Sequence, residues 1–263
     1  MTERYAVIGH PVSHSQSPAI HARFAQAAGQ KIEYGRIEAP LDGFERAVDE
    51  FRAAGGKGLN VTLPFKQAAF RYCDDVTDRA REGQVVNTLL FGDRTRGDNT
   101  DGIGLVRDIE VNLAVKLGGK TVLLMGAGGA AQGVAGALLA ARVAKLVIAN
   151  RTFAKAEALA ARFKATAARY DEIRDPFDIV INATSAGLGT EPVALPGAAI
   201  GRATLAYDMV YGRTTPFLQA AGAKGAKCAD GLGMLVEQAA ESFFLWRGVR
   251  PPTRSVLASL RGG

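Results

Sequence analysis

The stretch Gly126-Ala127-Gly128-Gly129-Ala130-Ala131 constrains the fold of this chain more than any other. It follows the apolar run Lys120–Met125 and opens the alanine-rich segment Gly128–Arg142, a pattern that predicts a strand, a tight turn and a helix. In that setting a Gly-x-Gly-x-x-Gly/Ala spacing has a physical reading. Gly126 permits the turn, Gly128 lets backbone N–H groups approach a pyrophosphate, and the small Ala131 lets helix and strand pack closely. The helix start offers free donors and the positive end of its dipole to an anion. Gly126, Ala127, Gly128, Gly129 and Ala130 are therefore the expected dinucleotide loop, against the plainer reading of a glycine-rich turn with no ligand.

The next strand, Leu146–Ala149, ends in Asn150-Arg151-Thr152, with Lys155 one turn into the following helix. NAD enzymes usually place an acid here to accept from the ribose 2′-hydroxyl. An acid would repel a 2′-phosphate, whereas Arg151 can grip it and stack on adenine, with Thr152 and Lys155 as further donors. NADP is the expected cofactor, with Asn150, Arg151, Thr152 and Lys155 around its phosphate. The competing reading makes Thr152 a simple helix cap and Arg151 a solvated charge.

The 263 residues are long for one domain and short for three, so two compact units are expected. The balance of 48% apolar and 22% charged residues excludes wholesale disorder. The net charge of +6 comes from scattered Lys and Arg without a basic block, which argues against nucleic acid and suits anionic small molecules. Cys73 and Cys228 lack a CxxC spacing, and His10, His14 and His21 lack acidic or cysteine partners at ligand spacing, so no metal is expected. The opening residues carry an acid and only a brief apolar stretch, unlike a secretory leader, and no apolar run reaches membrane length. A cytoplasmic protein without membrane partners is the expectation.

Apolar runs alternate with helical patterns, which predicts an α/β chain with mainly parallel sheets. Strands are expected at Tyr5–Ile8, Ile32–Ile37, Gly58–Val61, Asp178–Ile181, Thr204–Asp208 and Lys227–Ala229, besides the two above. Ser17-Pro18 reads as a helix cap and first-turn proline, and Phe44–Ala54, the segment from Phe65, Thr152–Phe163, the segment from Thr215-Pro216 and Gly231–Arg247 read as helices. Val85–Phe91 looks like a hairpin arm, with turn signals at Gly92-Asp93 and Gly97-Asp98, and Thr253 could cap a final helix.

Several polar clusters fall at the ends of expected strands, where open α/β sheets place ligands. They are His10-Pro11-Val12-Ser13-His14-Ser15-Gln16-Ser17-Pro18, Asn60–Lys66, Val86-Asn87-Thr88 and Asp98–Gly102. The first, the second and Asn99–Gly102 resemble signatures of the shikimate dehydrogenase (shikimate/quinate dehydrogenase) family. So do Asn182–Gly187, Tyr207–Tyr211 and Gly231–Ala239, and all stand in the family's order over nearly the whole chain.

The resemblance implies two domains with a cleft between them: an N-terminal α/β substrate domain, residues 1–101 plus 232–263, and a Rossmann-type NADP-binding domain, residues 102–231. It implies NADP-dependent interconversion of 3-dehydroshikimate and shikimate, a step toward chorismate and the aromatic amino acids, by a monomer or homodimer. By the same resemblance Ser15 and Ser17 hold the substrate carboxylate, and Thr62, Asn87, Tyr211 and Gln238 contact the ring and its hydroxyls. Lys66 and Asp101 are the catalytic pair and touch substrate. Met209 and Gly231 lie near the nicotinamide, Thr184 and Ser185 nearby, and Asp78 near the cleft. His10 departs from the asparagine of many relatives, which leaves its role open.

The chemistry is coherent without the family name. Hydride delivery to a ketone builds negative charge on oxygen, which a positioned acid such as a partly desolvated Lys66 can quench while Asp101 orients it. Taken singly, Lys66 is more ordinarily a solvated helix residue and Asp101 a cap; the companion motifs reverse that. Competing readings are an NAD-using quinate or quinate/shikimate dehydrogenase, a methylenetetrahydrofolate dehydrogenase, and an NADP-binding regulator without catalysis. Arg151 disfavours the first, the serine-rich opening loop the second, and the Lys66/Asp101 combination the third.

Overall fold

The computed structural model describes residues 2–184 and 195–262. The chain divides into two compact units, Met1–Gly104 with Leu235–Gly263, and Leu105–Met234.

The first unit is built on a six-stranded mixed sheet, ordered β2-β1-β3-β5-β6-β4. Strands β1 (Glu3–Gly9), β2 (Ile32–Glu38) and β3 (Gly56–Val61) run parallel. They are joined by helices α1 (Ser17–Ala27) and α2 (Phe44–Ala53), the crossovers that parallel strands require. After β3 come α3 (Lys66–Tyr72), the two-residue β4 (Asp75–Val76) and α4 (Asp78–Gly83). Strands β5 (Thr88–Phe91) and β6 (Thr95–Asp98) form an antiparallel hairpin, and β5 lies antiparallel to β3. The sheet is therefore less parallel than the sequence pattern suggests. Gly92-Asp93 turns the hairpin as expected, but Gly97-Asp98 lies inside β6. Gly97 is there for space, since a Cβ would crowd Cys73 and Val86. Ile8, Leu59, Val61, Phe65, Ala69 and Leu89 belong to one core cluster of this unit.

Helix α5 (Asp101–Arg107) passes from the first unit into the second and ends in a π-helical turn, Asp108–Asn112. The second unit carries a parallel six-stranded sheet, ordered β12-β11-β10-β7-β8-β9. Its strands are β7 (Thr121–Met125), β8 (Lys145–Ala149), β9 (Thr166–Ala168), β10 (Ile179–Asn182), β11 (Leu205–Asp208) and β12 (Lys227–Ala229). This is the doubly wound order 3-2-1-4-5-6, in which the strand sequence reverses between β7 and β10.

The apolar runs of the sequence follow from this layout. Val122, Leu124, Ile148 and Ile181 enter one core cluster with residues of α6 (Gly129–Ala140) and α7 (Phe153–Phe163). Leu123, Met125, Val147 and Val180 enter another with Phe217 and Ala221 of α8 (Pro216–Ala223). Alternate residues face opposite covered surfaces, so an unbroken apolar strand is the stable pattern. Thr215 caps α8 as expected, its hydroxyl accepting from Leu218 N–H at 3.3 Å. Ser17 does not cap α1; Gln16 holds that position, and Ser17 and Pro18 are the first helical residues. The last helices are α9 (Leu232–Arg247) and α10 (Thr253–Arg261), and Thr253 begins α10 rather than capping it.

The carboxylate of Asp108 is fully buried in the π-turn, accepting from the Tyr207 hydroxyl at 2.6 Å and from Asn112 Nδ2 at 2.9 Å. Gly233 is packed so tightly against it that any side chain there would overlap the carboxylate. Burial, then the Asp108 charge, holds the Tyr207 phenol well above its ordinary range. No helix among the described residues is long and apolar enough to cross a membrane.

Candidate active site

In the first unit the turn Thr62-Leu63-Pro64-Phe65 ends β3 and delivers Lys66 as the first residue of α3. The Lys66 carbonyl accepts from Val86 N–H at 3.0 Å, which ties that helix start to the segment carrying Asn87. Asn87 bridges two strands through its backbone, donating to Asp98 O at 3.0 Å and accepting from Val61 N–H at 2.8 Å. Asp101 is the first residue of α5, and its N–H donates to Asn99 Oδ1 at 3.2 Å.

These placements bring Lys66 Nζ to 2.5 Å from Asp101 Oδ2. The lysine side chain is 12% exposed and the aspartate 6%, so the pair is largely withdrawn from water without being sealed. An exposed pair would be screened and weak, whereas this one keeps a close geometry with little water around it. The Asn87 NH2, with two protons to give, lies 2.9 Å from Asp101 Oδ1, 2.9 Å from Thr100 Oγ1 and 3.2 Å from Gln238 Oε1. Gln238, on α9, is itself held by donation to Leu235 O at 2.8 Å. Four residues singled out from the sequence, Lys66, Asn87, Asp101 and Gln238, thus form one hydrogen-bonded cluster.

Ser15 and Ser17 form a second, buried pair with their hydroxyls 3.2 Å apart. Arg36 fixes the loop by donating to Ser15 O from Nη2 at 2.6 Å. Thr62 is half-buried, with its N–H donating to Ile8 O at 2.9 Å. Asp78 is exposed on the first turn of α4, and His10 is exposed with Nδ1 3.8 Å from Glu38. Tyr211 belongs to the second unit, half-buried after β11.

In the second unit Gly126 leaves β7 at φ +110°, a conformation that favours glycine, and a Cβ there would lie 3.0 Å from Ala183 O. Gly128 differs: its φ of −82° suits any residue, and among the described residues a Cβ would meet nothing within 4 Å. Neither strain nor packing against the described residues demands a glycine at 128. It precedes α6, twelve residues long, which presents its N-terminal donors there.

Arg151, Thr152 and Lys155 are exposed beyond the end of β8. Thr152 sits at the cap position of α7 but makes no capping bond, so helix capping does not account for its hydroxyl. Asn150 Nδ2 donates to Thr152 O at 3.0 Å and shapes the turn. This loop, donor-rich and without an acid among residues 150–155, fits a phosphorylated ribose.

Thr184 donates to Asn182 Oδ1 at 2.7 Å, and Asn182 Nδ2 donates to both Asp208 oxygens at 3.2 Å. Asp208 also accepts from Thr215 Oγ1 at 2.5 Å and from Val210 N–H at 3.0 Å. Burial pushes the Asp208 carboxyl up, opposed by these hydrogen bonds. The network joins the turn after β10 to the Met209-Val210 turn after β11. Gly231 lies against Met209, whose carbonyl any Cβ at 231 would overlap, and its N–H donates to Val210 O at 3.1 Å. Ser185, also expected near the cofactor, lies outside the described residues.

Several polar groups of the site were not given roles from sequence. Thr88, Thr100 and Ser242 are fully buried beside Asn87, and Asn60, quoted for its motif alone, is buried with them. The available signal was hydroxyl and amide side chains within strand and helix faces that are otherwise apolar. Among the described residues no cluster of three or more His, Cys, Asp or Glu side chains is placed to hold a metal.

Known families match the chain in three consecutive stretches. The shikimate dehydrogenase substrate binding domain matches residues 7–89, shikimate / quinate 5-dehydrogenase residues 109–191, and the shikimate 5′-dehydrogenase C-terminal domain residues 231–261. A shikimate dehydrogenase (NADP(+)) from Methylobacillus flagellatus is 56% identical over 267 residues, covering 98% of this chain and 99% of the relative. A crystal structure of an Ael1 enzyme from Pseudomonas putida superposes with a TM-score of 0.93 at 50% identity, covering 98% of both chains. The shikimate 5-dehydrogenase of Thermus thermophilus, in complex with NADP(H) and shikimate, superposes with a TM-score of 0.90 at 36% identity, covering 99% of both chains. With half or more of its residues shared with such a relative along nearly its whole length, this chain belongs to the shikimate dehydrogenase family.

Proposed function

We propose that this chain is an NADP-dependent shikimate dehydrogenase that reversibly reduces 3-dehydroshikimate to shikimate. The observation that carries the reading is the Lys66–Asp101 pair, 2.5 Å apart and largely buried, with the Asn87 amide on the free carboxylate oxygen. We assign substrate binding and catalysis to residues 1–101 with 232–263, and cofactor binding to residues 102–231.

Ser15 and Ser17 offer hydroxyl donors to the substrate carboxylate at the start of an eleven-residue helix. Thr62, Asn87, Gln238 and Tyr211 supply donors and acceptors to ring hydroxyls. Lys66 places its ammonium at the carbonyl oxygen and gives up a proton as negative charge develops there. Asp101, anchored on one oxygen by Asn87, keeps the ammonium aimed and stabilises its charge between turnovers. In the oxidative direction the neutral amine of Lys66 takes the hydroxyl proton back.

The nicotinamide cofactor supplies or accepts the hydride when bound. Gly126 through Ala130 would hold its pyrophosphate, and Asn150, Arg151, Thr152 and Lys155 its 2′-phosphate. Thr184, Ser185, Met209, Gly231 and Asp78 are assigned to the nicotinamide end.

The test is absorbance at the NADPH band with shikimate or quinate and NADP or NAD in all four combinations. The reading requires kcat/KM to be highest for shikimate with NADP. Faster turnover of quinate with NAD would replace it with a quinate dehydrogenase, and no turnover in any combination would favour a binding protein.

A further inference from the structure

We propose that Thr88 and Ser242 are positioning residues for the Lys66–Asp101 pair, acting through a head-to-tail chain of hydrogen bonds that fixes the Asn87 amide. The inference rests on the catalytic reading of that pair and adds residues to which no role has been given.

Backbone groups, whose roles as donor or acceptor are fixed, orient the two amides of the chain. Thr100 N–H donates to Asn87 Oδ1 at 2.8 Å, so that atom is the oxygen and its neighbour, facing Asp101 at 2.9 Å, is the NH2. Asn60 Nδ2 lies 3.3 Å from the Asn87 carbonyl, which can only accept, so the Asn60 amide is oriented as well. Asn60 Oδ1 accepts from the Tyr34 hydroxyl at 2.7 Å, and Asn60 Nδ2 donates to Ser242 Oγ at 2.9 Å.

Either hydroxyl of the Thr88–Ser242 contact, 2.8 Å long, could donate, and Gln238 O at 3.1 Å and Thr100 Oγ1 at 3.2 Å are the other places for the Ser242 proton. We take Ser242 as the donor, since its shortest contact of these is to Thr88 and Thr88 can then give its proton onward. Thr88 passes its own proton to Asn87 Oδ1 at 2.9 Å. The sequence Tyr34, Asn60, Ser242, Thr88, Asn87, Asp101 therefore donates in one direction and ends on the carboxylate that holds Lys66. Asn60, Thr88, Ser242, Asn87 and Asp101 are all buried, so water cannot readily replace a missing link.

A chain of this kind strengthens each bond through the polarity of the one before it. Its loss would let the Asn87 amide loosen and the carboxylate turn away from Lys66. Asp101 faces Lys66 as its charged partner and Asn87 as a neutral one, while the nearby Asp98 is held by Arg79 at 2.6 Å. A change in the chain should accordingly be read at Asp101.

The test compares Thr88→Val, which keeps the shape and loses the hydroxyl, with Thr88→Ser, which keeps the hydroxyl and loses the methyl. Thr88→Val and Ser242→Ala should each lower kcat about tenfold with KM for NADP unchanged, a factor set by one buried hydrogen bond. Thr88→Ser should restore most of the rate, and the Thr88→Val/Ser242→Ala double variant should be no slower than the slower single. Independently of turnover, the Thr100 amide signal in 1H–15N NMR should move in Thr88→Val and Ser242→Ala and stay in Thr88→Ser.

A Thr88→Ser variant as impaired as Thr88→Val, or rate losses that multiply in the double variant, would overturn the proposal. So would an unmoved Thr100 amide in Thr88→Val. If the wild type turns over no shikimate, the catalytic reading fails at that step, and the Thr100 amide still decides whether the chain exists.

Discussion

Lys66 is where a single side chain has the most to lose. Its ammonium is held by the Asp101 carboxylate and shielded from most solvent, and we assign it proton delivery. We expect Lys66→Ala to lower kcat by about 10²–10⁴-fold, the usual worth of a positioned acid, while NADP affinity by fluorescence titration stays within about twofold. A normal kcat would remove Lys66 from the chemistry. The pair was legible through the resemblance, since Lys66, Asp101 and Gln238 stand in segments that resemble family signatures and Asn87 in a polar cluster at a strand end. Taken singly, Lys66 and Asp101 read as a solvated helix residue and a cap. The groups behind them were not legible. Asn60 and Ser242 meet across 182 positions of chain, and Thr88 and Ser242 across 154. Neither spacing nor hydropathy encodes contacts at that separation; only the strand order of the first sheet and the return of α9 create them.

At the level of elements, the β7 turn contains two glycines with different reasons to exist. Gly126→Ala puts a Cβ at φ +110° and 3.0 Å from Ala183 O, so it should destabilise the fold by about 1–3 kcal/mol, seen as a lowered urea midpoint. Gly128→Ala meets neither problem and should fold normally while losing NADP binding; a variant binding NADP as well as wild type would show that the backbone there is not approached. Beyond β8, Arg151→Ala should raise KM for NADP about 10–100-fold and leave KM for NAD nearly unchanged, the loss of a charge-assisted contact to a phosphate. An equal change for both cofactors would place Arg151 elsewhere than at the 2′-phosphate. Strand β7 and helix α6 could be placed from sequence because buried parallel strands are apolar throughout and the turn between them is marked by glycine. The β6 stretch Gly97-Asp98 misled for a complementary reason: its glycine answers a neighbour's bulk, which resembles a turn signal when read along the chain alone.

At the scale of the whole molecule, one imidazole should set much of the acid sensitivity. His21 is fully buried, stacked on Tyr34 at 4.1 Å, and neither ring nitrogen has a hydrogen bond of good geometry. Burial pushes it down to about 3, with Asn60 nearby opposing the shift only in part. A base with a depressed folded value contributes stability that is complete above its unfolded value near 6.5 and is lost as pH falls toward 3. At about 1.36 kcal/mol per unit, lowering the pH from 6.5 to 5 should cost roughly 2 kcal/mol, a sizeable share of an ordinary folding free energy. Urea midpoints for wild type and His21→Phe at those two pH values should show a markedly flatter response in the variant. Parallel responses would mean that His21 finds a protonated state the folded chain tolerates.

The Thr100 amide that fixes Asn87 is part of the main chain, so no substitution at 100 other than proline removes it. Replacing Asn87 by aspartate would therefore leave one new oxygen pinned and aim the other at the Asp101 oxygen 2.9 Å away. Two carboxylates at that separation cannot both stay ionised and would share a proton between them. An apparently isosteric exchange would thus become a proton trap beside Lys66, diverting the particle whose transfer we assign to the pair.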